Sequence, residues 1–220
     1  LDVLNQRLDD QTRILSAQEL GALRTVVQQQ RHHAQRQLRR GVRKLKNSDY
    51  SKRVRDLVER IHWRETGDEP SIQAYGTAVL HPLLEAFLKD SNTKALKRKR
   101  PLEGPKGVRY LHRLRIAGKR VRYAMELLEP AFGESAQRDV LPLMENVQDR
   151  LGEINDHAAA IGFYQQLVEQ VEGSDCRGAI RKMIVSEERN LKSSCAAFDQ
   201  WWSPKRIKKM QRRFSRAQGK

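Results

Sequence analysis

The segment Tyr110–Phe132, YLHRLRIAGKRVRYAMELLEPAF, decides the fold of this chain, because its residue pattern has the period of an α-helix. Apolar residues at helical spacing predict a face that packs on a core: Leu114, Ala117, Val121, Ala124, Met125 and Leu128. The opposite side is cationic: His112, Arg115, Lys119 and Arg122, with Tyr123 at its edge and Arg113 and Arg120 on the flank. The segment therefore predicts one helix with a packing face and a cationic face.

The cationic face has no acid to balance it, since no Asp or Glu occurs between Tyr110 and Tyr123. Like charges three or four residues apart on a helix repel by about 0.3 kcal/mol per pair. A solvated helix surface is one explanation for such a charge run, and an anionic ligand is the other. The single sign of the charge, and a second helix with the same arrangement, favour the ligand.

That second helix follows Ser16-Ala17-Gln18-Glu19, a capping box, and is predicted to reach about Lys46. We expect its core stripe to be Leu23, Val27, Ala34, Leu38, Val42 and Leu45. Its basic face carries Arg36, Arg39, Arg40 and Arg43, together with His32. Two helices thus share one division into an apolar and a basic side.

The rest of the sequence has helical patterns and no strand pattern. Further helices are expected at 2–15, 50–63, 71–88, 134–151, 156–171 and in a last long segment that ends at Trp201 and Trp202. Val54, Leu57, Val58 and Ile61 are expected to face inward, Gly152 to end one helix, and Asn155 or Asp156 to cap the next. The predicted fold class is all-α, as antiparallel helical bundles joined by short turns.

Composition along the chain predicts four parts. Residues 1–90 form a first helical-bundle half, and residues 91–106 form a linker with Pro101 and the basic cluster Lys97–Arg100. Residues 107–203 form a second half, and residues 204–220 form a basic C-terminal tail without any acid.

The overall charge predicts a polyanionic partner. The chain has 220 residues, with 43 Lys and Arg against 27 Asp and Glu, and a net charge of +16. No apolar run approaches the roughly 20 residues that span a bilayer, so no membrane partner is expected. Cys176 and Cys195 form no CxxC pair, which favours a reducing cytoplasm. The sequence does not indicate the oligomeric state.

The sequence offers little for catalysis, for a metal or for a cofactor. His32 and His33 are adjacent and therefore point about 100° apart on a helix. No HExxH, Walker loop or GxSxG occurs. Asp156 beside His157 fits an acid/base pair, but capping explains Asp156 equally well. We therefore predict a protein that is not an enzyme and that has no metal and no cofactor.

Two classes of polyanion suit the cationic faces. Arg forks and Lys ammonium groups bind phosphate oxygens by charge-assisted hydrogen bonds, so a phosphate polymer fits, and so does DNA. Base stacking usually places aromatic residues on the cationic face, and only 6% of this chain is aromatic. A nucleic-acid-binding helical protein is therefore the alternative prediction.

The sequence resembles a known family at this point. LHRLRIAGKRVRYAMELLEPAFG followed by LMENVQDRLGEINDHAAA resembles the second half of a CHAD domain, the conserved histidine α-helical domain. The phrase LHxLRIxxKRxRYxxE carries the resemblance, and Val147–Asp156 matches the pattern LQDxLGxxND. LDVLNQRL and KNSDYSKRVRDLVERIHW extend the resemblance toward Leu1.

The resemblance implies two pseudo-symmetric four-helix halves whose basic helices line a central positive cleft. It implies binding of inorganic polyphosphate, with localisation to polyphosphate granules in some members. The positions that match the family phrase are His112, Arg115, Lys119, Arg120, Arg122 and Tyr123. The family's first half begins with an HxxRxxxRRxR helix, and no such phrase precedes Leu1, so we expect this half to be incomplete.

Two consequences of the resemblance stay open. Either the sequence omits the first basic helix, or the protein binds with half of the usual site. CHAD domains also often accompany triphosphate-tunnel domains, which makes a phosphohydrolase or its accessory domain a third possibility. The acidic metal-binding strands of that partner are absent from this sequence.

Overall fold

The computed structural model describes residues 15–60, 69–91, 102–134, 136–171 and 173–217, and all regular structure in these ranges is helical. Seven α-helices follow in order: α1 Ala17–Lys46, α2 Tyr50–Glu59, α3 Ile72–Ser91, α4 Pro105–Leu127, α5 Leu141–Gln170, α6 Ser174–Trp201 and α7 Pro204–Ala217. A 3₁₀ turn at Glu129–Ala131 and a π-helical turn at Ala136–Val140 lie between α4 and α5. The predicted all-α class is confirmed.

Some predictions fall outside these ranges. The predicted helix before Leu15, the inward position of Ile61 and the basic cluster Lys97–Arg100 lie outside the described residues. None of the helices in the described ranges combines the length and the apolar character that a bilayer crossing requires.

Residue contacts divide the chain into two compact units. The first contains the described residues of 1–69 together with Tyr164–Met183, and the second contains the described residues of 70–163 and 184–220. The division into bundle halves at 1–90 and 107–203, joined by a linker at 91–106, stays a prediction.

The first unit begins α1 with the predicted capping box. The Ser16 hydroxyl accepts from the Glu19 N–H at 3.3 Å, and the Ser16 N–H donates to Glu19 Oε2 at 2.8 Å. Lys182 of α6 donates to Glu19 Oε1 at 2.8 Å. The hydrogen bonds from Lys182 and from the Ser16 N–H lower the pKa of the Glu19 carboxyl. One carboxylate thus fixes the start of α1 and joins it to α6.

The predicted core stripe of α1 is correct only in its first half. Leu23 and Val27 are fully buried, but Ala34 is exposed and Leu38, Val42 and Leu45 are 66%, 43% and 53% exposed. The prediction for α2 is also wrong, because its apolar residues are exposed: Val54, Leu57 and Val58. A helical period identifies an apolar face, but it does not supply a second element that covers that face.

In the second unit, α4 packs its apolar face against α3 and α5. Leu114, Val121 and Met125 are at most 1% exposed, which confirms the predicted packing face. Gly118 marks the closest approach, because a Cβ atom there would lie 3.3 Å from Phe87 Cε2 and 3.5 Å from the terminal methyl of Met144. Packing at this density fixes the rotation of α4 about its axis.

The α5 helix is continuous through the predicted break at Gly152, so the predicted stop there and the predicted cap at Asn155 or Asp156 are wrong. The buried stripe of α5 passes through this region without a change of period: Met144, Val147, Leu151 and Ile154. An interior glycine costs a helix only about 1 kcal/mol relative to alanine, and burial of four large side chains outweighs that cost.

The predicted basic tail at 204–220 contains a packed helix, α7. Its apolar residues Ile207, Met210 and Phe214 recur at helical spacing and belong to the core of the second unit. Arg213 donates to the carbonyl oxygen of Asp139 at 3.0 Å, whereas Lys205, Lys208, Lys209 and Arg212 are exposed. This segment was predicted as a tail because of its many basic residues, although its apolar residues have the spacing of an amphipathic helix.

His157 joins α5 to α6 through a buried contact. Its Nδ1 lies 2.6 Å from Glu187 Oε2, and the two side chains are 12% and 2% exposed. Glu153 Oε1 lies 3.9 Å from His157 Nε2. The arrangement assigns His157 to helix packing, and its acid/base pairing with Asp156 stays a prediction.

We expect His157→Ala to lower the free energy of unfolding by about 3 kcal/mol, because the buried Glu187 carboxylate loses its imidazole partner. Glu187→Gln in the same chain should restore part of this loss. His81→Ala is the matched control, since the His81–Glu85 pair is 3.8 Å apart and exposed, and it should cost less than about 0.5 kcal/mol. Chemical denaturation measures all three, and equal losses for the two histidine variants would contradict the assignment.

Candidate anion-binding site

The cationic face of α4 lies beside α5 in the second unit. Residue numbers rise along α4 as they fall along α5, which makes the two helices antiparallel. Three approaches define this register: His112 Nδ1 to Asn155 Oδ1 at 2.7 Å, Arg115 Nε to the position of a Cβ atom on Gly152 at 4.0 Å, and Arg122 Nε to Gln148 Oε1 at 3.0 Å.

The α5 residues that contact the cationic face are uncharged. Gln148, Gly152 and Asn155 are uncharged and follow helical spacing. Glu153 of the same helix instead accepts a hydrogen bond from Ser194 of α6 at 2.9 Å. Within the described ranges, no carboxylate forms an ion pair with His112, Arg115 or Lys119.

Arg115 is held by packing. Its side chain is half-buried and passes over Gly152, and its Nε is buried without a hydrogen-bond partner among the described residues. Because a buried charged donor normally has a partner, an arginine in this state is costly unless another group balances its charge. No described carboxylate offsets the charge of Arg115, which lies on the same side of α4 as His112 and Lys119.

Arg122 differs from the other members of the cationic face. It donates to Gln148 Oε1 at 3.0 Å and to Glu126 Oε1 at 2.8 Å, and its guanidinium lies 4.9 Å from the centre of the Tyr123 ring. Gln148 in turn donates to the carbonyl oxygen of Gly118 at 3.2 Å. Arg122 thus braces α4 against α5, and its charge is largely neutralised.

The other predicted residues of α4 lie at the surface. Lys119 is half-buried, Arg113 and Arg120 are exposed, and Tyr123 is 49% exposed. The structure therefore brings His112, Arg115 and Lys119 together on one side, with Tyr123 at the edge as predicted.

The predicted basic residues of α1 belong to the first unit. Arg36, Arg39, Arg40 and Arg43 are all exposed, and none forms an ion pair with a carboxylate in the described part of the chain. Their convergence with the cationic face of α4 on one cleft stays a prediction of the family resemblance.

Sequence reasoning missed the residues that α5 contributes to the site. Asn155 and Gly152 were interpreted as helix-end signals, and Gln148 was not singled out. The signal was present, because residues 148, 152 and 155 share one helical face as soon as the helix is continued through Gly152.

Trp201 and Cys195 have structural surroundings that do not point to a ligand. Trp201 is enclosed by the guanidinium groups of Arg150 and Arg206, which lie 4.7 and 4.4 Å from the ring centre. Burial, together with the charge of Glu103, raises the pKa of the Cys195 thiol to about 11, so this thiol stays protonated. In the described residues, no group of three His, Cys, Asp or Glu side chains is arranged to hold a metal ion.

These features define an all-helical protein with a cationic helix face that no described carboxylate neutralises at His112, Arg115 or Lys119. The CHAD domain family matches residues 1–165 of the 220-residue chain, and the protein belongs to this family. No curated protein and no solved structure matches the chain.

We expect Arg122→Met to lower the free energy of unfolding by about 1–2 kcal/mol in the absence of any anion, because it removes the hydrogen bonds to Gln148 and Glu126. Lys119→Met should leave the free energy of unfolding unchanged or raise it by about 0.3 kcal/mol, because it removes a like charge. Chemical denaturation of both variants measures the difference. A larger loss of stability for Lys119→Met than for Arg122→Met would show that Arg122 is not the residue that joins α4 to α5.

Proposed function

We propose that this protein binds inorganic polyphosphate, without converting it, along the cationic face of α4. The observation that carries the proposal is the set of His112, Arg115 and Lys119 on one side of α4, none of which forms an ion pair with a described carboxylate. Where His112 and Arg115 meet α5, the contacting residues Asn155 and Gly152 are uncharged. Membership of the CHAD family supports the same ligand.

A linear phosphate polymer suits this arrangement because the cations are spaced along an axis. His112 and Lys119 are seven residues apart, which corresponds to about 10 Å along a helix. Several phosphates of one chain would contact such a row, each through charge-assisted hydrogen bonds. Binding should weaken as salt increases, because each neutralised phosphate releases counterions.

The basic face of α1 is proposed as a second contact surface for the same polymer. Arg36, Arg39, Arg40 and Arg43 are exposed and unpaired with any carboxylate in the described ranges, so their guanidinium groups are accessible. Arginine suits phosphate because its planar fork binds two oxygens at once.

Nucleic acid is the second candidate, and the exposed Tyr123 ring at the edge of the cationic face is the observation that favours it. Two observations weigh against it. Trp201 is already enclosed between Arg150 and Arg206, and Tyr123 is one aromatic residue rather than a series on which successive bases could stack.

We further propose that the protein is not an enzyme. The groups at the site are cations and amides, and in the described residues no group of three His, Cys, Asp or Glu side chains could hold a metal ion that activates water. Incubation with polyphosphate and Mg²⁺ should leave the chain length unchanged, and progressive shortening would establish an activity that this proposal excludes.

The proposed location is the cytoplasm, in association with polyphosphate granules. Cys176 and Cys195 are buried free thiols, which fits a reducing compartment. A fluorescent fusion in a polyphosphate-storing cell should co-localise with the granules and disperse when the cell is depleted of polyphosphate.

Charge reversal tests the site directly. Arg115→Glu combined with Lys119→Glu should weaken binding of long-chain polyphosphate at least about tenfold, because it replaces two charge-assisted contacts by repulsion. Lys209→Glu combined with Arg212→Glu changes the net charge equally on α7 and is the matched control, expected to have a smaller effect. Arg213 is unsuitable as a control because it donates to Asp139.

Titration with polyphosphate and with duplex DNA at the same salt concentration measures these effects. We expect polyphosphate to bind more tightly than duplex DNA. Equal affinity for the two polymers would indicate nonspecific binding of polyanions. A larger loss for the α7 variant than for the α4 variant would assign the binding surface to α7.

A further inference from the structure

We propose that Asn155 is a positioning residue for anion binding, which holds the imidazole of His112 with its proton on Nδ1 and leaves Nε2 for the phosphate. This inference rests on the proposed function, because it concerns how the same site binds its ligand. Asn155 lies on α5, outside the cationic helix itself.

The contact between the two side chains fixes the position of one proton. His112 Nδ1 lies 2.7 Å from the carboxamide oxygen of Asn155. A carboxamide oxygen only accepts hydrogen bonds, so Nδ1 must be the donor in this contact. The neutral imidazole therefore carries its proton on Nδ1, and its Nε2 has none.

A second amide on the same side of α5 acts in the same way. Gln148 accepts from Arg122 at 3.0 Å and donates to the Gly118 carbonyl oxygen at 3.2 Å. Both amides orient a residue of α4 without adding charge to the face. An aspartate at position 155 would hold the ring equally well, but it would neutralise the cation that an anionic ligand needs.

This geometry links phosphate binding to proton uptake. Only the imidazolium form of His112 donates from Nε2 to a phosphate oxygen while it continues to donate from Nδ1 to Asn155. Binding should therefore tighten as the pH falls, since the ligand favours the protonated ring. The charged neighbours are Arg109 and Arg115 on α4 and Asp156 on α5, and no described carboxylate pairs with His112.

The tautomer of His112 is the first test and needs no ligand. The ring signals of His112 are assigned as those that are missing from the nitrogen-15 NMR spectrum of His112→Gln. In the wild-type protein at pH 8.5, these signals should show the Nδ1–H form. Neutral histidine in solution favours Nε2–H, so this result would not arise without an acceptor at Nδ1. A ring in the Nε2–H form would overturn the inference.

Variants of Asn155 extend this test. Asn155→Leu removes the acceptor and should return His112 to the Nε2–H form, whereas Asn155→Asp keeps an acceptor and should preserve Nδ1–H. Asn146→Leu is the matched control, because Asn146 is an amide on the same helix that accepts from Arg150 at 2.9 Å. It should leave His112 unchanged.

A double-mutant cycle then measures the effect on binding. Asn155→Leu should weaken polyphosphate binding at pH 6.5 by about three- to tenfold in the wild-type background and have no further effect in the His112→Gln background. His112→Gln should also remove the proton uptake on binding. Equal losses in both backgrounds would indicate a general structural role for Asn155 and overturn the inference.

The outcomes separate this inference from the proposed function. If the wild-type protein fails to bind polyphosphate while His112 shows the Nδ1–H form, the ligand is wrong and the positioning of the ring by Asn155 is retained. If polyphosphate binds but His112 shows the Nε2–H form, or Asn155→Leu weakens binding equally in both backgrounds, the proposed function is retained and the role of Asn155 is wrong.

Discussion

The arrangement of α4 depends on a balance between core packing and repulsion among its own cations. The helix contains seven Lys and Arg residues and one Glu, and like charges three or four residues apart cost about 0.3 kcal/mol per pair. Burial of one large apolar side chain contributes about 2 kcal/mol, and Leu114, Val121 and Met125 are all buried. Packing therefore exceeds the repulsion by a wide margin. As a result, packing holds these cations at fixed spacing, and binding of the proposed anionic ligand would cost the protein little ordering entropy.

The charge of α4 persists because the α5 residues that contact His112, Arg115 and Arg122 are uncharged. A carboxylate on α5 opposite His112 or Arg115 would form an ion pair and remove the attraction for an anion. Amides and a glycine instead orient the side chains and leave their charge intact. Arg122 shows the contrast, because Glu126 neutralises it and Gln148 fixes it in place. One row of cations therefore contains both a bracing residue and residues that remain available to a ligand.

The sequence pattern predicted which side of a helix is apolar, but it did not predict which other element packs against that side. The packing face and the cationic face of α4 both follow from a local period, and burial of Leu114, Val121 and Met125 confirms the packing face. The exposed second half of the α1 stripe, at Leu38 and Leu45, shows the limit, because a stripe has the same period whether or not another helix covers it. The packed face of α7 was missed for a related reason: its many cations outweighed three apolar residues at helical spacing. The contacts of Asn155 and Gln148 depend on the register between two helices, which no local pattern contains.

The continuity of α5 through Gly152 has the largest consequence for the site. Had the helix ended there, as glycine and the following Asn-Asp suggested, Asn155 would have capped a new helix with a different axis. Because the buried stripe continues through Leu151 and Ile154, the backbone keeps its rise and rotation. The antiparallel α4 then approaches α5 at three pairs of residues, which are 122 and 148, 115 and 152, and 112 and 155. A single uninterrupted core stripe on α5 therefore sets the positions of the polar residues that lie beside it.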